Sequence, residues 1–242
     1  MSLIDRLEGA LNFRDVGGWR TAHGRHVRRG RVYRSDHLGA LSVHDIESLQ
    51  RAGRWRVLDF RGVQERLSAP CVMPGADVHS LAIEPTVVQE VARLLEAGQH
   101  VSSEKTGELM RDTYRGFVID NTPRFAQFFQ HLLDHDGPLV FHCTAGKDRT
   151  GFAAALLLHA LDVPQEQIWD DYLITNERLS QRPPNPNLPP QIAHVLHAVQ
   201  RDFLQAALDA VDQMHGGLDH YLLHALKLDA PARKALAERL VA

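Results

Sequence analysis

Residues 141–151 read FHCTAGKDRTG. Just before them, PLVFH (138–142) is a short unbroken apolar run, which marks a central strand covered on both faces. Just after, TGFAAALLLHA (150–160) has the character of a buried helix. A loop that joins such a strand to a helix lies where an open α/β sheet presents its ligand crevice. Five residues separate Cys143 from Arg149, namely Thr144, Ala145, Gly146, Lys147 and Asp148. That spacing lets the chain curl into a cup of converging backbone N–H groups, with the positive end of the next helix aimed at the same point. Gly146 admits backbone angles that a side chain resists. The expected occupant is a phosphate dianion held by the backbone of Thr144, Ala145 and Gly146.

Each side chain in the loop has a chemical reason to be there. A thiol in such a cup should titrate below its usual ~8.5, in the range ~3.5–7.5, which makes Cys143 the expected nucleophile. Arg149 can place a planar fork on two phosphoryl oxygens. Thr150 can donate its hydroxyl to the sulfur, His142 is placed to orient the loop, and Lys147 adds a second cation at the rim. Asp148, beside a thiolate and a phosphate, should be kept protonated by its anionic neighbours and so suits the protonation of a leaving oxygen. It is the first choice for general acid. Asp112, upstream in a helical stretch without the Pro or Gly of a mobile loop, is the competitor. Asp59, at a predicted strand end, ranks third.

Rival readings of the loop fare worse. A nucleotide-binding P-loop needs Gly where Phe141 stands and Ser or Thr where Asp148 stands. An incidental Cys and Arg would not need the strand before, the helix after, His142, Gly146 and Thr150 together. Sulfur-transfer and arsenate-reducing loops would not need Asp148 and Thr150 in these places. A phosphate-recognition module with little turnover has no use for both Cys143 and Asp148.

Working outward, strands are expected over 31–34, 55–60 and 76–82, with the central one at 138–142. Helices are expected over 42–52 with Ser42 as cap, 87–97 ending before Gly98, 104–119, 122–133, 150–160 and 165–179. RPPNPNLPP (182–190) breaks the helical pattern, and two or three amphipathic helices follow. Strands alternating with helices indicate an α/β fold: a central, largely parallel sheet with helices on both faces and a helical C-terminal region. The 242 residues fit a single domain over 1–242.

The composition excludes several classes. With 44% hydrophobic and 24% charged residues the chain is of ordinary globular type. A net charge of -3 gives no reason to expect nucleic acid as a partner. No apolar run is long enough to span a bilayer, so no stable membrane insertion is expected. Two cysteines, Cys71 and Cys143, lack metal or disulfide spacing, and MSLIDRLEGALNFRD is not a signal peptide, so a cytoplasmic location is expected. The chemistry calls for no metal and no cofactor. The histidine pairs His131/His135, His194/His197 and His220/His224 read as surface residues, since no HExxH arrangement accompanies them.

The loop is joined by further motifs. NFRDVGG (12–18), YRSD (33–36), DFR (59–61) followed by Glu65, DDYLITN (170–176) and HGGLDHYLLHALKL (215–228) are spread over nearly the whole chain. Together with HCTAGKDRTG they resemble the signature of the atypical bacterial tyrosine phosphatases, with Phe60 in place of the usual Leu. The resemblance implies the cysteine-phosphatase fold and activity on phosphotyrosine proteins, with phosphoserine, phosphothreonine or phosphoinositides as further substrates in some relatives. It implies a supporting role for Asp59 and Arg61, and a helical lid, which would fall at 182–199. Arg14, Arg34 and Arg61 either shape the anion pocket or form structural ion pairs with Asp15, Asp36 and Glu65. For Arg34 the structural role is favoured.

Overall fold

The computed structural model describes residues 4, 6–84, 86–97 and 100–242, so Gly98, the expected helix stop, lies outside the described residues. Its centre is a five-stranded sheet of order β1-β2-β5-β3-β4. The strands are β1 (Arg14–Asp15), β2 (Val32–Ser35), β3 (Arg56–Asp59), β4 (Asp77–Ser80) and β5 (Leu139–His142). Only the β1–β2 pairing is antiparallel, so the sheet is largely parallel as expected.

The alternation along the strands shows how the sheet is covered. Tyr33, Val57 and Val140 point to one face, where they meet Phe13, Trp55 and Leu49 of α1 (Val43–Arg51). Val32, Leu58, Leu139 and Phe141 point to the other, into the larger core. That core is built from α4 (Ser103–Ile119), α5 (Thr122–Leu133), α6 (Asp148–Ala160) and α9 (Arg201–His215). Rings dominate it: Phe128 packs on Phe141 with centroids 4.9 Å apart, and Phe125 on Phe152 at the same separation. Helix α6 is buried almost all round, which is why its sequence shows no polar stripe.

Local signals account for most boundaries. Ser42 caps α1 by accepting from the Asp45 amide while Asp45 accepts from the Ser42 amide, a reciprocal capping box. Ser102 caps α4 from one side only, its hydroxyl accepting from the Lys105 amide. The chain also contains α2 (Val63–Ser68) and α3 (Thr86–Glu96), then α7 (Gln165–Arg178), α8 (Pro190–His197), α10 (Leu218–His220) running into a π-turn over Tyr221–Ala225, and α11 (Ala230–Leu240). Two of these differ from the sequence reading. Helix α2 carries no apolar face and was not foreseen. Helix α6 begins at Asp148, so Asp148 and Arg149 stand on its first turn and not in the loop.

Beyond the Pro-rich break, Ile192 of α8 packs with Val91, Leu94 and Val101 in a small separate cluster. Among the described residues, no helix is long and apolar enough to cross a membrane.

The parallel neighbours β2 and β5 bring the loop after β5 hard against the end of β2. Gly146 has φ +65, and a Cβ there would lie 2.3 Å from the Ser35 carbonyl oxygen. Gly146→Ala should therefore destabilise the fold by about 2–4 kcal/mol, the sum of overpacking and left-handed strain. Chemical denaturation of the variant beside wild type measures this directly, and an unchanged midpoint would contradict the packing described.

Candidate active site

A loop whose amides converge on an anion must turn its carbonyls outward, and buried carbonyls need donors. The structure supplies them from remote segments. The Asn12 side-chain amide donates to the carbonyls of Ala145 (2.8 Å) and Gly146 (2.9 Å). Arg34 Nη2 donates to the Gly146 carbonyl at 2.9 Å, and the His37 amide to the Thr144 carbonyl at 3.2 Å. Behind this layer Arg34 Nη1 lies 2.5 Å from Asp171 Oδ2. Arg14 donates to the Asp171 carbonyl at 2.9 Å and approaches its carboxylate at 3.5 Å, while also holding Asn12. The expected partners Asp15, Asp36 and Glu65 are thus replaced by Asp171 for Arg14 and Arg34, and by Asp59 for Arg61. Asp171 belongs to the DDYLITN stretch, whose Asn176 also bonds both ways to Val199.

On the front of the cup Cys143 is buried, 2% exposed. Arg149 lies close enough to Cys143 that an ionised sulfur there helps hold its charge. The guanidinium donates to both oxygens of Glu65 on α2, at 2.7 and 2.8 Å, and to the Ile83 carbonyl at 2.9 Å. Glu65 also accepts from Thr144 Oγ1 and from the Gly62 amide. Burial alone would push the Glu65 carboxyl up, but Arg149 outweighs it and holds the group below its ordinary value. In turn Glu65 outweighs burial at Arg149 and drives that guanidinium further from deprotonation. Sequence reading gave Glu65 as part of a motif and as a candidate partner of Arg61, not of Arg149. Its link to Arg149 spans 84 positions and had no local signal.

Asp148 is approached by two phenols from other helices. Tyr114 of α4 donates to Asp148 Oδ1 at 2.9 Å, and its oxygen lies 2.6 Å from that of Tyr172 on α7. Burial first, and then the Asp148 charge, raises both phenols well above their ordinary value, so both remain hydrogen-bond donors. Neither tyrosine was singled out from the sequence. Lys147 Nζ lies 3.5 Å from Asp148 Oδ2. Expected at the rim, Lys147 is instead buried, with its ammonium donating to the Leu196 and Ala198 carbonyls at the end of α8. It thereby ties the segment expected to form a lid to the loop. Asp112 lies on the outer side of α4, more than half exposed and paired with Arg115 at 2.6 Å. It lines a groove of about 530 Å3 that also includes Ile83, Glu84 and Asp120.

Beneath the cup, His142 is fully buried. Its Nδ1 lies 3.2 Å from the Cys143 carbonyl, a hydrogen bond only if that nitrogen carries the proton. Nε2 is 3.7 Å from Asp59, whose carboxylate is engaged by Arg61 at 2.7–3.1 Å. Arg61 continues to the Ala69 carbonyl at 2.6 Å. Burial pushes the His142 imidazole down to about 4, with Asp59 only partly opposing. Asp59 is held below its ordinary value, because Arg61 and His142 outweigh its burial. Thr150 Oγ1 is buried with no hydrogen-bond partner in the structure, so the expected bond to the sulfur is not formed here.

A buried thiol and an arginine at the mouth of a strand–loop–helix cup, with a carboxyl on the first helical turn, define an enzyme that handles phosphoryl groups. The chain belongs to the tyrosine phosphatase family, whose description matches residues 5–242. It is 36% identical over 228 residues to a tyrosine-protein phosphatase of Cupriavidus necator, covering 90% of this chain and 82% of that one. It is 32% identical over 263 residues to the triple specificity protein phosphatase PtpB of Mycobacterium tuberculosis, covering 92% and 94%. The protein is accordingly a protein tyrosine phosphatase, a hydrolase of phosphate monoesters. Among the described residues, no three of His, Cys, Asp and Glu gather as a metal site would require.

Two outcomes follow from this geometry. Tyr114→Phe removes a bond to the Asp148 carboxylate and should lower kcat on a phosphotyrosine peptide about tenfold, with KM little changed. An unaltered kcat would show that Tyr114 does not position the acid. The second concerns His142, whose folded-state value lies below its unfolded one. The unfolded chain then binds the extra proton first, so stability is full above about pH 6.5 and is lost as pH falls toward about 4. Wild type should lose roughly 3 kcal/mol across that window that His142→Asn does not lose. Parallel denaturation profiles for the two proteins would contradict it.

Proposed function

We propose that the protein hydrolyses phosphotyrosine through a phospho-cysteine intermediate at Cys143. The observation that carries this reading is the outward pairing of the Thr144, Ala145 and Gly146 carbonyls, which leaves the following amides facing the Cys143 side of the loop. Arg149, already charged and held at the same place, exchanges Glu65 for two phosphoryl oxygens. Cys143 Sγ attacks phosphorus, and the bond from phosphorus to the tyrosyl oxygen breaks. Asp148 gives its proton to that leaving oxygen. Its carboxylate then takes a proton from the water that attacks phosphorus, and the thiolate departs as inorganic phosphate is released. Thr150, with no competing partner, donates to the sulfur as it leaves. His142, Asp59 and Arg61 hold the base of the loop.

Protein substrates are favoured over phosphoinositides. A free cation at the rim would favour a phosphoinositide headgroup, but the Lys147 ammonium is spent on the carbonyls of α8. The groove that begins at Ile83, whose carbonyl accepts from Arg149, carries Glu84, Asp112 and Asp120 and would repel a polyanionic headgroup. The name of the mycobacterial relative, a triple specificity protein phosphatase, supports activity on phosphoserine and phosphothreonine as well.

Phosphate release in the presence of EDTA, from phosphotyrosine peptide, phosphoserine peptide and phosphatidylinositol phosphates, tests this reading. Cys143→Ser should abolish turnover on all of them. Asp148→Asn should lower phosphotyrosine turnover by ~10²–10⁴, with a smaller deficit on p-nitrophenyl phosphate, whose leaving group needs little protonation. Asp112→Asn should leave both rates near wild type. The reverse pattern would move the acid to Asp112, and release that survives in Cys143→Ser would overturn the mechanism.

A further inference from the structure

The groove of about 530 Å3 that holds Asp112 runs between the Ile83–Glu84 segment, α3 and α4. None of residues 142–150 lines it, yet it meets the catalytic machinery at two points. Ile83 lines the groove, and its carbonyl accepts from Arg149 at 2.9 Å. Phe117, one turn along α4 from Tyr114, lines it too. Its ring stacks at 5.9 Å on Phe152 of α6, the helix whose first turn carries Asp148 and Arg149.

The floor is apolar: Ile83 and Phe117 are buried, and Val87 and Leu109 are half-buried. Gly116 of α4 also lines the groove, and a Cβ there would meet nothing nearer than Asp120 Oδ2 at 3.6 Å. A side chain would fit, and glycine inside a helix is unfavourable, so packing gives no reason for it. Its effect is to leave the groove open. The charges along the groove are of two kinds. Glu90 and Arg93 bond to each other, and Asp112 is matched by Arg115. Glu84 and Asp120, both exposed, have no cationic partner among the described residues. Glu84 accepts from the Val63 amide at 3.1 Å. Asp120 stands at the C-terminal end of α4, where the helix dipole opposes an acid and would favour a cation. Fold stability therefore does not account for a carboxylate at that position.

An apolar floor under unmatched carboxylates suits a long side chain with an apolar stem and a cationic tip, as Lys and Arg have. We propose that this groove is the subsite for a basic residue flanking the phosphotyrosine of the substrate protein. The stem lies on Ile83, Leu109 and Phe117, and the cation meets the Glu84 and Asp120 carboxylates. The inference rests on the phosphotyrosine reading above and narrows it: phosphotyrosines in basic sequence are favoured, and an acidic neighbour is repelled.

The test uses synthetic phosphotyrosine peptides that differ only in the residues on either side of the phosphotyrosine: arginine, alanine or glutamate. For each protein, kcat/KM on a peptide is divided by that on p-nitrophenyl phosphate, which has no flanking residues and reports on the cup alone. Wild type should prefer the arginine peptide to the glutamate peptide by about tenfold, with alanine between them. Glu84→Gln/Asp120→Asn, which keeps the shapes and the acceptor for the Val63 amide, should shrink that ratio to about twofold. Glu84→Gln/Asp120→Lys, whose lysine suits the helix end, should turn the preference toward the glutamate peptide, a reversal that a merely structural role would not produce. Neutralising two acids on α1 and α11, in Glu47→Gln/Glu238→Gln, should leave the ratio as in wild type. Wild-type rates that are equal on the three peptides, or highest on alanine, would overturn the subsite and leave the phosphatase reading standing. So would an arginine preference that survives in the groove variants, or one that falls equally in Glu47→Gln/Glu238→Gln. Hydrolysis of p-nitrophenyl phosphate with no hydrolysis of any peptide would overturn both.

Discussion

The structure depends on one requirement, that the carbonyls of a loop whose amides serve an anion be paired on its other side. Peptide planarity couples each carbonyl to the amide that follows, so fixing one fixes the other. The carbonyls of Thr144, Ala145 and Gly146 find their donors in His37, Asn12 and Arg34, residues over a hundred positions away. Asn12 and Arg34 are themselves held by Arg14 and Asp171. The antiparallel β1, the turn after β2 and helix α7 are thus all needed to hold a loop of a few residues. The cost of burying so many charges is tolerable only because almost every one has a hydrogen-bonded partner.

The same economy explains Glu65. A guanidinium buried behind a thiol would be expensive without a counterion, and a permanent counterion would block substrate. A carboxylate that binds Arg149 through two parallel hydrogen bonds offers the geometry that a phosphoryl group offers. In the proposed mechanism substrate entry would replace one bidentate anion by another, and Arg149 would be neither desolvated alone nor reoriented. Thr144, a loop residue bonded to the same carboxylate, couples that exchange to the loop itself.

How much of this was legible in the sequence follows from the range of the interactions. The strand–loop–helix at 138–160 was readable because each part has a local signature: an unbroken apolar run, a glycine with positive φ, and a helix buried all round. The largely parallel sheet followed from alternation of strands and helices. The ion pairs were not legible, because Arg14, Arg34 and Arg61 each have several acids nearby in sequence while two of them choose Asp171. Lys147 was misplaced for a related reason. Its position beside Cys143 suggests a rim cation, but the choice between substrate and the carbonyls of α8 is made by a helix some fifty residues further on. Tyr114 and Tyr172 read in sequence as ordinary core aromatics, and only the fold reveals that Tyr114 bonds Asp148 and Tyr172 bonds Tyr114.

The loop is finally best understood as lying between two layers of arginine with different counterion arrangements. In front, Arg149 holds both oxygens of the Glu65 carboxylate, which in the proposed mechanism it exchanges for phosphate. Behind, Arg14 and Arg34 divide a single carboxylate, and burial first, then the neighbouring Arg34, pushes Arg14 down to about 9 with Asp171 offsetting only part. A chain of net charge -3 therefore concentrates positive potential on both sides of a few peptide units. In a low-dielectric interior such potential reaches the thiol and the bound anion far more strongly than surface charge would. Anion affinity here is a local property built from paired burial, which is why the overall charge of the protein says nothing about its substrate.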